Sequence, residues 1–363
     1  MTPVLFVTNG HGEGSIAGRI AQELRGLGQF GTDHFALVGQ GNGAEAFANV
    51  GPHSVLPSGG LVAMGNVRAF AGDVRAGFLW LLARQLAFLQ TARERYAAVV
   101  AVGDVYALLL ARLARRPTVF VGTAKSVFVA PYGPVERRVL GTARRVFVRD
   151  PATAAYLRAR GVAAEAPGNV IADLLATNAR VDWHTATERI ALLPGSRAQA
   201  YEDAIRLADI ARRVIGRVPG AGAIMSIAPG LEAARFAPAL AGEPPIGAWR
   251  DDLGALFAQA TIALGQAGTA NEAAAACGVP VVALAFDEKR KPAWYRMRQA
   301  RLLGAALAVV PGDPERAADA IVALLADGVR RARMAQVGRE RMGEPGGAAA
   351  IAQAIAALVT PAR

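Results

Sequence analysis

The sequence predicts an α/β protein built as two parallel-sheet halves. Short apolar runs alternate with helix-like segments along nearly the whole chain. The alternation is interrupted by the polar, aperiodic stretch TNARVDWHTAT at residues 177–187, after which a second series begins. In both halves glycines or an acid follow directly on an apolar run, at the strand ends where parallel sheets gather ligands.

The elements follow in order. Residues 4–8 read as a buried strand and 15–27 as the helix behind it. Residues 98–102 (AVVAV), 118–121 (TVFV) and 145–148 (RVFV) read as further strands. Residues 151–160 form the next helix, closed by Gly161 as helix C-termini favour. The second half starts with the strand at 189–193 (RIALL). It continues through strands at 223–227, 262–264, 279–284 and 306–310. Asp313-Pro314 opens a helix with a capping acid and a proline in its first position. GEPGG at 343–347 separates a last helix, 348–358. The expected domains are 1–178, 187–345 and a terminal helix, 346–363, packed on the first domain or on a partner subunit.

Composition narrows the classes. At 363 residues with 53% hydrophobic side chains, each half can bury a core of its own. A single cysteine, Cys277, excludes an internal disulfide and a four-cysteine zinc site. A net charge of +11 favours anionic partners such as phosphates or an acidic membrane surface. No nucleic-acid motif is present, so nucleic acid is not an expected partner. The N-terminus lacks a basic, signal-like start, and no apolar run reaches the roughly 18 residues of a membrane span. The expected location is cytoplasmic.

Four strand ends carry the candidate chemistry. After the first strand comes GHGEGS. Its glycines suit a tight turn near a ligand, Ser15 suits an N-cap, and His11 and Glu13 are needed for neither. After AVVAV comes Gly103-Asp104, where Asp104 reads either as a general base or as the cap of the next helix. After RIALL comes Pro194-Gly195-Ser196-Arg197. Ser196 and Gln199 have capping-box spacing, while Arg197 at a helix start suits an anion. The fourth is ALGQAGTANEAAAA. Thr269 and Glu272 again have capping-box spacing, and the N–H groups of Gly268, Thr269 and Ala270 could hold a diphosphate.

HGEGS, LLPGSR and GTANEAAAACGVPVV, in that order, resemble lipid-A-disaccharide synthase, and more closely the related proteins that share its glycosyltransferase B fold. GNVIAD at 168–173 and KRKPAWYRMRQARLL after the GTANE helix extend the likeness along most of the chain. The resemblance implies two Rossmann-like domains facing across a cleft. It also implies a UDP-sugar donor held mainly by the second half and a lipid-linked or lipid-like acceptor. Glu13 and Ser15 match the family's first loop, with Gly12 beside them. Asp104 falls at its catalytic aspartate, Arg197 at the arginine of its P-G-S-R loop with Gly195 and Ser196, and Glu272 at its nucleotide-binding glutamate. The sequence departs from the family at Ile16-Ala17, at the run from Val105 to Leu109 after Asp104, and at Gln266. The first two departures fall in the acceptor-side half, so they bear on the acceptor more than on the donor.

The expected reaction is inverting transfer of a sugar from UDP. Asp104 would be the base, with Glu13 or His11 in reserve, and Arg197 with the helix start at 268–270 would stabilise the departing UDP. No D-x-D occurs, so transfer without metal or other cofactor is expected. Residues 67–96 and 289–301 combine apolar and basic side chains and could contact an anionic membrane from its inner face. Residues 67–96 could equally form a core or dimer helix. The resemblance further implies a homodimer that exchanges its final segment. Two other readings stay open: a nucleotide-sugar epimerase or hydrolase of the same fold, and a catalytically silent nucleotide-sugar-binding protein.

Overall fold

The structure is a computed structural model. It describes residues 1–9, 11–37, 47–54, 74–75, 77–123, 125–175, 177–196, 199–228, 231–266, 268–285 and 293–360. The chain divides into two compact units, Met1–Leu174 with Pro345–Arg363, and Leu175–Glu344.

In the first unit, six strands form one parallel sheet: β1 (Thr2–Thr8), β2 (Phe30–Ala36), β3 (Ala98–Gly103), β4 (Thr118–Gly122), β5 (Arg145–Val148) and β6 (Ala164–Glu165). They lie in the order β2-β1-β3-β4-β5-β6. Its helices are α1 (His11–Gly26), α2 (Phe78–Arg95), α3 (Val105–Ala111), α4 (Pro134–Leu140), α5 (Pro151–Arg158) and α6 (Val170–Leu174). In the second unit, β7 (Glu188–Leu193), β8 (Ala221–Ser226), β9 (Gly247–Trp249), β10 (Ile262–Gly265), β11 (Val281–Ala285) and β12 (Leu307–Pro311) are ordered β12-β11-β10-β7-β8-β9. Its helices are α7 (Ala200–Ile215), α8 (Ala237–Leu240), α9 (Leu253–Phe257), α10 (Thr269–Ala276), α11 (Ala293–Leu303), α12 (Pro314–Ala326) and α13 (Gly328–Met342). The last helix, α14 (Gly347–Val359), belongs to the first unit.

Both sheets are buried on both faces, which is why their strands read as unbroken apolar runs. In the first unit Val4, Phe6, Val100, Val102, Val121 and Phe147 face α1 and α14, while Leu5, Val7, Val99, Ala101 and Phe120 face the opposite core. β2 escapes this pattern. Its sequence, FGTDHFA, carries polar residues, and its partners lie elsewhere in the fold. His34 is fully buried, bonds Thr8 Oγ1 through Nε2 at 2.8 Å and stacks on Phe47, while Asp33 accepts from Tyr96 Oη at 2.6 Å.

The helix starts follow from local chemistry. Asp150 and Asp313 cap α5 and α12 ahead of a proline, accepting from Thr153 N and Arg316 N. α1 begins at His11, four residues earlier than expected. Ser15 therefore sits inside the helix and is not its N-cap, and Gly12 is an exposed helical residue with no neighbour within 4 Å of where a Cβ would lie.

α14 is tied to the first unit by Asp173 of the GNVIAD motif. Its carboxylate accepts from the backbone N–H of Gly346 and, at 2.7 Å, from that of Ala348. Gly347 must be glycine, because a Cβ there would lie 2.4 Å from the Gly168 carbonyl oxygen. Ile351, Ala352 and Ile355 then complete the core beneath α1. The described window Gly328–Val359 is apolar enough on average to pass as a membrane span. It is two helices, however, broken at Gly343 (φ 87°) and Gly346 (φ 102°), and the second is packed into the core.

Two outcomes are expected. Asp173→Ala removes both N–H acceptors and should cost about 2–3 kcal/mol in urea unfolding, with earlier proteolysis at 343–346; wild-type stability and cleavage would contradict the tether. Burial, reinforced by His53, lowers the His34 pKa from 6.5 to about 4. The unfolded chain therefore binds a proton that the folded chain refuses. The resulting stability is complete above pH 6.5 and is lost as pH falls towards 4, by about 3 kcal/mol. Urea titrations of His34→Gln should show a shallower loss across that window than wild type.

Candidate functional site

Each sheet has one point where the strand order reverses, and ligands of such sheets sit beyond the strand ends there. In the first unit that point lies between β1 and β3, and in the second between β7 and β10. The candidate residues fall at these two points, and each unit is described by itself.

In the first unit Gly103 ends β3 with φ 130°. Its missing side chain leaves room for Asn9 Oδ1, which would lie 2.5 Å from a Cβ, and for Glu13 Cγ, 3.1 Å from it. Glu13, in the first turn of α1, is thereby brought to Gly103 at the end of β3, one residue before Asp104 in the chain. Asp104 caps α3, its Oδ1 accepting from Tyr106 N at 3.0 Å and Ala107 N at 3.1 Å. Any chemistry at this carboxylate is left to Oδ2. Ser15 and Gly12 lie farther into α1 and on its exposed first turn, respectively. His11 opens α1.

The next strand ends add residues with no sequence signal. Tyr132 is 1% exposed, and its hydroxyl would lie 2.5 Å from a Cβ on Gly122, so this glycine at the end of β4 makes room for the ring. Burial raises the Tyr132 pKa, and Glu136, Asp104 and Asp150 raise it further against the opposing charge of Arg149. Tyr106 is likewise raised, first by burial and then by Asp104. Both phenols stay neutral beside these carboxylates.

In the second unit Gln266 N donates to Leu193 O at 3.2 Å, which sets the segment after β10 alongside the segment after β7. Gly195 (φ 113°) and Ser196 follow β7, and Gly268, Thr269, Ala270 and Glu272 follow β10, so the structure brings the two motifs together. Arg197 lies outside the described residues. The N-cap of α10 is Gly268 (φ 109°, ψ −168°), with no side-chain cap bond. Thr269 is already helical, and the expected Thr269–Glu272 capping box does not form. The same correction holds for Ser196 and Gln199. α7 starts only at Ala200, and Gln199 donates to Glu202 at 2.9 Å. In both cases the spacing is right, but the backbone turns at a different residue.

The Gly268 turn is held from beneath. Gln299 Nε2 donates to the Gly268 carbonyl at 3.3 Å, and Asn271 Nδ2 reaches Gln299 Oε1 at 3.4 Å. Asn271 is fully buried, and Gly265 must be glycine because a Cβ would lie 1.9 Å from Asn271 Oδ1. With the Gly268 carbonyl turned into the protein, the N–H groups of Thr269 and Ala270 open the helix without helical acceptors. An anion suits such an end, and Glu272, half-buried in the first turn, stands beside it. Burial and then Asp252 push the Cys277 thiol up to about 11, which disfavours its thiolate. Among the described residues no three His, Cys, Asp or Glu side chains are grouped to hold a metal.

Of the two basic, apolar stretches, 67–73, 76 and 289–292 lie outside the described residues. In α2, Leu81, Gln85, Leu89 and Ala92 are buried, whereas Leu79 and Trp80 are 59% and 72% exposed at its N-terminal end.

No family model and no curated protein matches the sequence. Solved structures match over almost its entire length. CalG4, the calicheamicin glycosyltransferase, aligns with 99% of this chain and 98% of its own at 17% identity, with a TM-score of 0.65. The UDP-GlcNAc 2-epimerase of Neisseria meningitidis, solved bound to UDP-GlcNAc, aligns over 99% of both chains at 12% identity and a TM-score of 0.59. MurG of Acinetobacter baumannii aligns over 98% of this chain and 100% of its own at 15% identity and a TM-score of 0.57. The shared feature is the fold, and it is the glycosyltransferase B fold with two parallel-sheet, Rossmann-like halves.

The glycines separate by role. Gly103→Ala should cost about 1–3 kcal/mol, since its Cβ meets Asn9 at a positive φ. Gly12→Ala should be neutral or stabilising by up to about 1 kcal/mol, as a helical site with open space. Urea midpoints in the reverse order would refute this placement.

Proposed function

We propose that this protein is an inverting glycosyltransferase that moves a sugar from UDP to a lipid-linked or lipid-like acceptor, related to lipid-A-disaccharide synthase. The observation that carries the donor half is the pairing of the Gly195-Ser196 and Gly268-Thr269-Ala270 turns at the switch point of the second sheet. In this reading the N–H groups of Thr269 and Ala270, with Ser196 and Arg197, receive the diphosphate, and Glu272 receives the ribose diol. Asp104 Oδ2 takes the acceptor hydroxyl proton while the acceptor oxygen attacks the anomeric carbon. The bond from that carbon to the diphosphate oxygen breaks, and UDP leaves with the electron pair. Glu13 and His11 are the reserve bases. The exposed Leu79 and Trp80 support contact of α2 with a lipid surface, at the cytoplasmic face of a membrane.

A second reading, a UDP-sugar epimerase or hydrolase, is favoured by the cap that occupies Asp104 Oδ1 and by the fold shared with a UDP-GlcNAc 2-epimerase over the full chain. The two separate in one assay. With UDP-GlcNAc as probe, the transferase releases UDP only when a membrane lipid extract is added. The epimerase converts the donor to its isomer, and the hydrolase releases UDP, without any extract. UDP itself should raise the melting temperature, and no shift with any UDP compound would overturn the donor site. Asp104→Asn keeps an oxygen for the helix cap and removes the base. Turnover should fall by about 10²–10⁴-fold with stability little changed, and retained turnover would exclude Asp104 as base.

A further inference from the structure

Tyr132 has no role in the proposed reaction as described. It stands between β4 and α4, 1% exposed, and is held from two sides. Its backbone carbonyl accepts from Arg137 Nη1 at 2.8 Å and from Tyr156 Oη at 3.1 Å, and Lys125 Nζ lies 5.7 Å from the centre of its ring. Gly122 makes room for the phenol oxygen at the end of β4. That oxygen has no hydrogen-bond partner among the described residues. Phenylalanine would fill the same space without burying an unpaired hydroxyl, so the oxygen calls for an explanation.

The surroundings narrow the partner. Gly122 pairs in register with Gly103, and Asp104 follows Gly103 directly. Three carboxylates act electrostatically on the phenol, Glu136, Asp104 and Asp150, against the charge of Arg149. Both Glu136 oxygens are engaged, by Lys125 Nζ and by the Gly133 N–H. Both Asp150 oxygens are engaged, by Thr153 N at 2.7 Å and Thr153 Oγ1 at 2.8 Å. Asp104 uses only Oδ1, for the two N–H groups of its helix cap. Among the described residues, Oδ2 of Asp104 is thus the oxygen of these carboxylates that lacks a donor, and Tyr132 Oη is a buried donor that lacks an acceptor.

We propose that Tyr132 is a positioning residue for Asp104, its hydroxyl donating to Oδ2. No bond joins the two atoms in this structure, and a side-chain shift or one bridging water completes the link. Oδ2 has two lone pairs, so it can accept from Tyr132 and still receive the proton of an acceptor hydroxyl. A neutral donor favours the charged form of a carboxylate, which is the form a base needs. It also fixes the direction in which Oδ2 meets the substrate. The kinetic consequence rests on the reading of Asp104 as the base of the proposed reaction; the link itself does not.

The link is tested on the full chain by NMR titration of aspartate labelled at Cγ, with the Asp104 signal assigned by its loss in Asp104→Asn. Tyr132→Phe removes one oxygen and keeps the packing. The Asp104 midpoint should lie about one pH unit higher in Tyr132→Phe than in wild type. The other titratable and charged groups at this edge, Glu13, Tyr106, Lys125, Glu136, Arg149 and Asp150, are the same in both proteins. An unchanged midpoint overturns the proposal. The assay with UDP-GlcNAc and membrane lipid extract reads the consequence. Tyr132→Phe should lower kcat about tenfold with KM unchanged, move the acid limb of the pH–rate profile to higher pH, and cost nothing further in an Asp104→Asn background. Losses that multiply in the double variant would mean that Tyr132 acts elsewhere, and would also overturn the proposal. Turnover retained by Asp104→Asn would remove Asp104 as the base, and the NMR midpoint would still decide the link.

Discussion

The first unit depends on one carboxylate. Asp173 closes the sixth strand-and-helix passage of that unit and also accepts the first N–H groups of a helix that begins 174 residues later, at Gly347. Two charge-assisted bonds at a helix start are a small part of any fold's stability. Their position gives them weight, because they set where α14 begins and how close it comes. The contact of Gly347 with the Gly168 carbonyl follows from that placement, and so does the seating of Ile351, Ala352 and Ile355 on the α1 face of the sheet. Without this helix, part of one side of a sheet buried on both faces would meet water, with α1 alone left to cover it.

The two units solve the same problem with different residues. Each sheet reverses its strand order once, and at each reversal a glycine removes a side chain so that a polar group can occupy its space. Gly103 yields to Asn9 and Glu13, and Gly265 to Asn271. The polar groups differ in consequence. Around Gly103 they leave two carboxylates, Glu13 and Asp104, at the strand ends. Around Gly265 they pull the Gly268 carbonyl inward and leave N–H groups at the edge. One edge is therefore rich in acceptors and the other in donors, a division that suits a proton-accepting end and an anion-holding end.

Much of this was legible in the sequence, and the failures have physical causes. Strands buried on both faces announce themselves as apolar runs, so β1, β3, β4, β5, β7 and β10 were visible within a residue or two. β2 was not, since Asp33 and His34 are satisfied by Tyr96 and Thr8, which lie far off in the chain. The motifs stand at strand ends as the sequence suggests, and Asp104 is the helix cap that one of its two readings makes it, but the other three expected caps do not form. Ser196 and Thr269 have capping-box spacing and Ser15 follows a glycine turn, and in each case the helix begins elsewhere. For Thr269 the reason is the extended, positive-φ geometry of Gly268, which spacing does not encode. Asn271 and Asn169 stand inside quoted motifs with no role of their own visible there, and Tyr132 carries no signal. Each matters through a neighbour supplied by the fold: Gln299, Ile171 and Gly122.

The return of α14 has a consequence for synthesis. The second unit is one continuous stretch, Leu175–Glu344, whereas the first is split around it. During synthesis most of the first unit is made before the second, yet it cannot be completed until α14 has been made. The second unit, made in the interval, has every strand it needs before then. The first unit is thus completed only after the second has been made, and the apolar surface that α14 will cover stays exposed in the meantime.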